Sequence, residues 1–206
     1  MELYFSPLAC SLASRITVYE AGAEDQVALK RVDTKARRTA EGDDYLAINP
    51  KGMVPALRTD TGEILTENAA ILPFIADQYP QAGLAPVSGL ERSRLAQWLS
   101  FIGSELHKTV FTPLLSPTAN EGAKAYAREA APARLAYLDA HLAGRDHLLD
   151  HFSVADAYLT AVLNWARFVG IDLKAWPAVA AYYARVTARP QVARAMQEEM
   201  GLFQAA

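Results

Sequence analysis

Cysteine is nearly missing from this sequence: Cys10 is the only one in 206 residues. That excludes an intramolecular disulfide framework and any multi-cysteine zinc site, and it suits a reducing compartment. No run of about 18 apolar residues occurs, so no membrane span is expected. The amino terminus, MELYFSPLAC, has an acid at position 2 and no basic stretch ahead of a long apolar core, unlike a signal peptide. A cytoplasmic protein is expected. Positive charge is in short supply as well: 20 Lys and Arg against 23 Asp and Glu leave a net charge of −3. Such a balance gives no electrostatic footprint for nucleic acid. Internal repeats and low-complexity tracts are also missing.

What is present is an ordinary globular composition, 51% hydrophobic and 21% charged, long enough for one large domain or two small ones. The chain divides by pattern. Residues 1–80 hold short apolar runs broken by Pro and Gly: Leu3 to Phe5, the alternating segment Val27 to Val32, Val54 to Leu57, and Ile64-Leu65. These predict four strands. Helices are predicted over Ser11–Ala21, weakly over Gly42–Ile48, and over Asn68–Gln78. Pro55–Thr59 and Glu63–Thr66, joined by a Gly-containing turn, predict an antiparallel hairpin. The whole describes a small α/β domain with a mixed four-stranded sheet over residues 1–80.

Residues 81–89 read as a linker, and residues 90–206 show helical periodicity almost throughout. Leu95, Trp98, Leu99, Ile102, Leu106 and Val110 fall on one helix face; Ala131, Leu135, Leu138 and Leu142 form another. A third runs from Val154 through Trp165 to Val169. An all-helical bundle follows. Ser153 and Asp156 have the spacing of a capping box, a structural helix start. Trp98, Trp165 and Trp176 lie on apolar faces, where core packing is the default and lining an apolar pocket the alternative.

Four places carry residues suited to chemistry. Cys10 follows a Ser-Pro turn and precedes a helix start, where unpaired N–H groups favour thiolate; a lone cysteine is otherwise a small buried hydrophobe. Val54-Pro55 can be cis, with the Val54 N–H and C=O turned outward to pair with an extended peptide; the plainer reading is a loop before an edge strand. Glu67 and Asn68 open a helix, as a cap or as a seat for a ligand bearing an ammonium and a carboxylate. His107 lies on a helix, where by residue type alone it is structural or solvated. His147 and His151 have i, i+4 spacing but no third partner of known geometry, and no metal is assigned to them.

Taken together, Ser6-Pro7-x-x-Cys10-Ser11, INPKGMVPAL, LTENAAI, Glu105-Leu106-His107-Lys108 and FSVADAYL resemble the bacterial, beta-class glutathione transferases over nearly the whole chain. The resemblance implies a thioredoxin-like amino-terminal domain that binds glutathione as co-substrate, without another cofactor. It also implies a helical domain lining the pocket for a small apolar electrophile, and a homodimer. By position, Cys10 would form a mixed disulfide with glutathione, and Ser11 would donate to sulfur. Val54 would pair with the cysteinyl unit, Glu67 and Asn68 would hold the γ-glutamyl end, and His107 would approach the glutathione sulfur. Four positions depart from the pattern. Asn68 stands for Ser or Gly, Met53 for Gln or Lys, and Ser100 for Asn, while Arg37 would take over a contact to the glycyl carboxylate. The expected function is glutathione conjugation, with thiol–disulfide exchange through Cys10 beside it. The competing reading is a non-catalytic protein that keeps the fold and binds apolar ligands or a protein partner. A glutathione-dependent isomerase or dehalogenase is less favoured, because Leu8-Ala9 occupy the place of a serine-rich run.

Overall fold

The computed structural model describes residues 1–205. Its amino-terminal half is a mixed sheet of strands β1 (Glu2–Phe5), β2 (Ala28–Asp33), β3 (Arg38–Thr39), β4 (Ala56–Arg58) and β5 (Ile64–Thr66), in the order β3-β2-β1-β4-β5. The central strand β1 runs parallel to β2 and antiparallel to β4. Leu3, Tyr4 and Phe5 are buried because both faces of β1 are covered. Helix α1 (Leu12–Glu20) crosses between the parallel strands, as such a connection requires. The predicted hairpin is β4 and β5, paired from Ala56↔Thr66 to Arg58↔Ile64. Val54-Pro55 is cis.

The sheet has five strands, not four. After β2 the chain reverses through a turn in which Asp33 Oδ1 accepts from the N–H groups of Lys35 and Ala36, both at 2.9 Å. Arg37 completes it at φ 57°, and Arg38–Thr39 return along β2. A two-residue strand has no alternation to read. The weak helix is also shorter than predicted: α2 spans Tyr45–Ile48, capped by Asp44, whose Oδ1 accepts from Leu46 N–H at 3.0 Å. Gly42, at φ 95°, lies outside helical space. Helix α3 is Asn68–Gln78, as read from the sequence.

The carboxy-terminal half is helical. Helix α4 (Gly89–Phe101) continues as a π-helix over Ile102–Phe111 and then as α5 (Thr112–Leu115). Next come α6 (Glu121–Leu142), α7 (Val154–Leu163), α8 (Ala166–Val169), a 3₁₀ turn at Leu173–Ala175, α9 (Pro177–Thr187) and α10 (Pro190–Gln204). The predicted faces point inward: Leu95, Trp98, Leu99, Ile102, Leu106 and Val110 are buried, as are Ala131, Leu135, Leu138 and Leu142. Every residue of α7 is buried. Its start carries the capping box, with Asp156 also accepting from Leu148 N–H (3.0 Å) and Tyr182 OH (2.8 Å). Helix α1 packs against α3, α7 and α10, so one hydrophobic core runs through both halves.

Candidate functional site

The site forms where the two halves meet, around the turn between β1 and α1. Helix α1 begins at Leu12, and Cys10 stands two residues earlier. The backbone N–H groups of Cys10 and Ser11 favour the thiolate, as does Lys108, but burial outweighs them and pushes the thiol up to about 11. In the free protein Cys10 is therefore a thiol, the helix-start contribution that favours thiolate being outweighed. Cys10 Sγ lies 3.1 Å from the Val54 carbonyl, to which it donates.

Ser11 does not reach sulfur. It is fully buried; its Oγ accepts from Ser6 N–H (3.1 Å) and donates to Ser6 O (3.2 Å). It closes the Ser6–Ser11 turn from within. Val54 presents its N–H without a hydrogen bond among the described residues, while its C=O is taken by Cys10. The segment before it is fixed by Tyr45 OH (2.8 Å) and Asn49 Nδ2 (2.7 Å), both donating to the Met53 carbonyl. The Met53 side chain is left exposed at the cavity rim.

Glu67 caps α3 at φ 70°, a left-handed backbone unusual for a residue with a Cβ. Its carboxylate pairs with Lys51 Nζ, which holds its pKa below the ordinary value. Asn68 is buried and engaged internally: Oδ1 accepts from Ser14 Oγ (3.1 Å), and Nδ2 donates to the Cys10 carbonyl (3.0 Å). Its side chain ties α1, α3 and the Cys10 turn together.

His107 comes from the π-helical stretch, where Thr112 N–H bonds back five residues to the His107 carbonyl. Its Nδ1 is 2.8 Å from Tyr158 OH, and its ring packs edge-on to Trp165 at 4.9 Å between centroids. Burial, helped by Lys108, pushes its pKa down to about 4. His107 is neutral at neutral pH.

Two adjoining cavities share Cys10, Met53, Val54 and His107. The first, about 310 Å³, is bounded by Lys51, Glu67, Asn68, Lys108 and Tyr158. The second, about 630 Å³, has an apolar wall of Leu8, Leu115, Trp165, Phe168 and Phe203. Two predicted site residues lie elsewhere. Arg37 is on the exposed turn between β2 and β3 and bounds neither cavity. Ser100 is on the outer side of α4, in a groove with Ala69, Pro73, Phe74 and Arg92. Lys51, Lys108 and Tyr158 were not singled out from the sequence, although each sits inside a quoted motif. Trp98 packs against His141 in the helical half, and Trp165 reaches the second cavity. Among the described residues no group of three or more His, Cys, Asp or Glu could hold a metal ion, and no helix is long and apolar enough to cross a membrane.

A thioredoxin-like sheet with a cis-proline segment facing a cysteine turn, joined to a helical domain that walls the adjoining cavity, defines a class of glutathione-binding proteins. Residues 9–78 match the glutathione S-transferase amino-terminal domain and residues 104–190 its carboxy-terminal domain. The glutathione S-transferase GstA of Escherichia coli O157:H7 is 41% identical over 201 residues, 97% of this chain and 98% of the relative. The solved structure of a sphingomonad glutathione S-transferase complexed with glutathione is 50% identical with a TM-score of 0.91, covering 97% and 98% of the two chains. A bacterial beta-class enzyme from Sphingomonas chungbukensis is 47% identical, with a TM-score of 0.91 and the same coverage. The chain belongs to the glutathione S-transferase family.

Proposed function

We propose that the smaller cavity seats glutathione and the larger, apolar one the electrophile, with the reacting sulfur at their shared boundary. As a member of its family the chain is a glutathione transferase that uses glutathione as co-substrate, in a role that fits detoxification. The observation that carries the placement is the convergence of unlike groups on one cavity: the strand-like Val54 N–H, the Lys51–Glu67 pair, Cys10 and His107.

Each part of glutathione meets a chemically suited group. The γ-glutamyl ammonium matches the Glu67 carboxylate, and its carboxylate matches the N–H groups at the start of α3. The cysteinyl amide extends along Val54 as an added strand would. Lys51 and Lys108 supply positive charge for the carboxylates, a role the sequence reading gave to Arg37. His107, neutral and held at Nδ1 by Tyr158, offers Nε2 to the glutathione sulfur as it loses its proton. The thiolate then attacks the electrophile held in the adjoining apolar cavity, forming a carbon–sulfur bond as the electrophile's leaving group departs with its bonding pair, or as its activated double bond takes up the pair and a proton.

Thiol–disulfide exchange is the second chemistry. Cys10 thiolate attacks glutathione disulfide, its S–S bond breaks, one glutathione leaves as thiolate, and a second glutathione resolves the mixed disulfide. With a thiol pushed up to about 11, this path is slow at neutral pH and quickens as pH rises. Cys10→Ala abolishes the mixed disulfide and weakens conjugation less. We also propose a homodimer, which the family resemblance implies, and a cytoplasmic location in line with the single cysteine.

Calorimetric titration of reduced glutathione into the reduced protein tests the placement. One saturable site per chain, weakened about tenfold or more by Lys51→Ala through loss of a charged contact, is the expected result. No binding at millimolar ligand would bring the non-catalytic reading forward. Sedimentation of the protein at micromolar concentration tests the dimer, and a monomer there would rule it out.

A further inference from the structure

The turn that carries Cys10 is held from the far end of the chain. Leu8 adopts φ 59°, in the left-handed region that leucine rarely enters and that persists only where its surroundings enforce it. Both of its peptide groups are gripped by buried side chains of the helical half. The Leu8 N–H donates to Glu199 Oε2 at 2.7 Å, and the Leu8 carbonyl accepts from Trp165 Nε1 at 2.8 Å. These partners lie 191 and 157 residues away in sequence.

Glu199 is completely buried on α10, an expensive place for a carboxylate. Its second oxygen, Oε1, makes no hydrogen bond; it lies 3.9 Å from Arg15 Nη1, which also makes none. The charged neighbours of Glu199 are Arg15 on α1 and Glu198 beside it, and Arg15 is itself turned toward Tyr19 and Glu198. Burial pushes the Glu199 carboxyl up to about 8, so it is mostly the uncharged acid at neutral pH, and a polar group kept there with one oxygen unbonded is not explained by the 3.9 Å approach of Arg15. It is explained by the Leu8 N–H. The same helix reaches the cavity: Phe203, one turn after Glu199, forms part of its apolar wall.

We propose that Glu199 and Trp165 are positioning residues, which grip Leu8 from opposite sides and so hold Cys10 against the Val54 carbonyl at the boundary of the two cavities. The carboxy-terminal helix thereby sets the geometry of the sulfur site in the amino-terminal half. Ser11 closes the other end of the turn onto Ser6, so the three fastenings leave the Cys10 backbone little freedom. The consequence for glutathione rests on the function proposed above; the grip itself does not.

The test compares Glu199→Gln, Glu199→Leu and Trp165→Phe in the intact chain. The rate of Cys10 alkylation by iodoacetamide is followed from neutral to alkaline pH, beside circular dichroism and the glutathione KM and kcat. Glutamine keeps an acceptor and should stay within about twofold of wild type, whereas leucine removes it and should raise the alkylation rate about tenfold or more as the sulfur escapes burial. Trp165→Phe removes the Nε1 donor together with one ring of the indole, and should move the rate in the same direction, with KM rising more than kcat falls. Lys108, Glu67, His107, Tyr45 and Tyr158, the charged and titratable groups about the sulfur, are unchanged in all three variants. A folded leucine variant alkylated at the wild-type rate and with the wild-type pH profile would overturn the proposal, whatever its melting temperature. So would a glutamine variant as fast as the leucine one. Should the leucine variant not fold, Trp165→Phe decides alone, and an unchanged rate there counts against the grip. Wild-type protein that fails to bind glutathione would refute the proposed function while leaving the alkylation comparison intact.

Discussion

Burial is the first cause of two opposite shifts in one cavity: the Cys10 thiol goes up to about 11 and the His107 imidazole down to about 4. Both side chains are therefore uncharged at neutral pH. For His107 the unfolded value is about 6.5. Between 6.5 and 4 only the unfolded chain takes up the proton. The stability tied to neutral His107 is fully present above pH 6.5 and is lost as pH falls through 4. An NMR titration should show no His107 inflection near neutrality, and His107→Phe should flatten the acid limb of the stability curve. A His107 resonance titrating near 6.5 would contradict this. Lys108 lowers both pKa values, so Lys108→Ala should raise both. Cys10 alkylation would then slow by about two- to fivefold, the scale expected of one nearby, partly screened charge. The place of Cys10 was legible from the Ser-Pro turn and the helix start, since both are local. Its protonation was not, because the groups that bury it arrive from Val54, His107 and Tyr158 through tertiary packing. The internal bonds of Asn68 were illegible for the same reason: its partners Ser14 and Cys10 lie more than fifty residues away.

Elements were legible in proportion to their length and periodicity. Helix α3 and the hairpin follow from local pattern, whereas the two-residue β3 offers none. The π-helical stretch carrying His107 was read as ordinary helix, because the apolar face from Leu95 to Val110 has the same stripe in either geometry. Its departure shows in the backbone bond from Thr112 N–H to the His107 carbonyl five residues back; the Thr109 and Thr112 hydroxyls donate over the same span to Ser104 O at 2.8 Å and His107 O at 2.9 Å. Such stretches often accompany functional sites. The start of α7 was legible as a capping box; its full cost of removal was not. Asp156 also serves Leu148 N–H and Tyr182 OH, neither of which the motif contains. Asp156→Ala orphans these buried donors as well as Ser153. At about 1–3 kcal/mol for each unsatisfied group, a loss of about 3 kcal/mol or more is expected. For a chain of this size that is a fall of about 6 °C or more in Tm. Calorimetry that shows a change within 2 °C, roughly the shift from under 1 kcal/mol, would refute the assignment.

At the scale of the molecule, the change of pattern near residue 80 suggests two halves that could fold apart, and the packing argues otherwise. Helix α1 is buried along all of Leu12 to Tyr19, polar Ser14, Arg15 and Thr17 included. One side meets α3 of its own half, and the rest is covered by α7 and α10. Periodicity identifies a buried face but not the partner that buries it, so this seam could not be read from the sequence. Ion pairs extend it: Arg189 binds Glu20 through Nε and Nη2 at 2.9 and 2.6 Å, and Arg194 meets Glu24 at 2.9 Å. These outer pairs are partly exposed and contribute little each; the apolar cover of α1 contributes more. A polypeptide of residues 1–80 alone would lack the cover of α7 and α10 over α1, expose Tyr19 to water and leave Arg15 without Glu198. It is expected to lack cooperative unfolding and to bind a hydrophobic dye, while the full chain melts in one transition by both circular dichroism and tryptophan fluorescence. All three tryptophans lie in the helical half, so their fluorescence reports that half, whereas far-ultraviolet dichroism reports both. Two separated melts would mean that α1 is stable without its cover and that the halves are energetically independent. Coincident melts would mean that the cavities lie across a seam that opens only when the whole molecule unfolds.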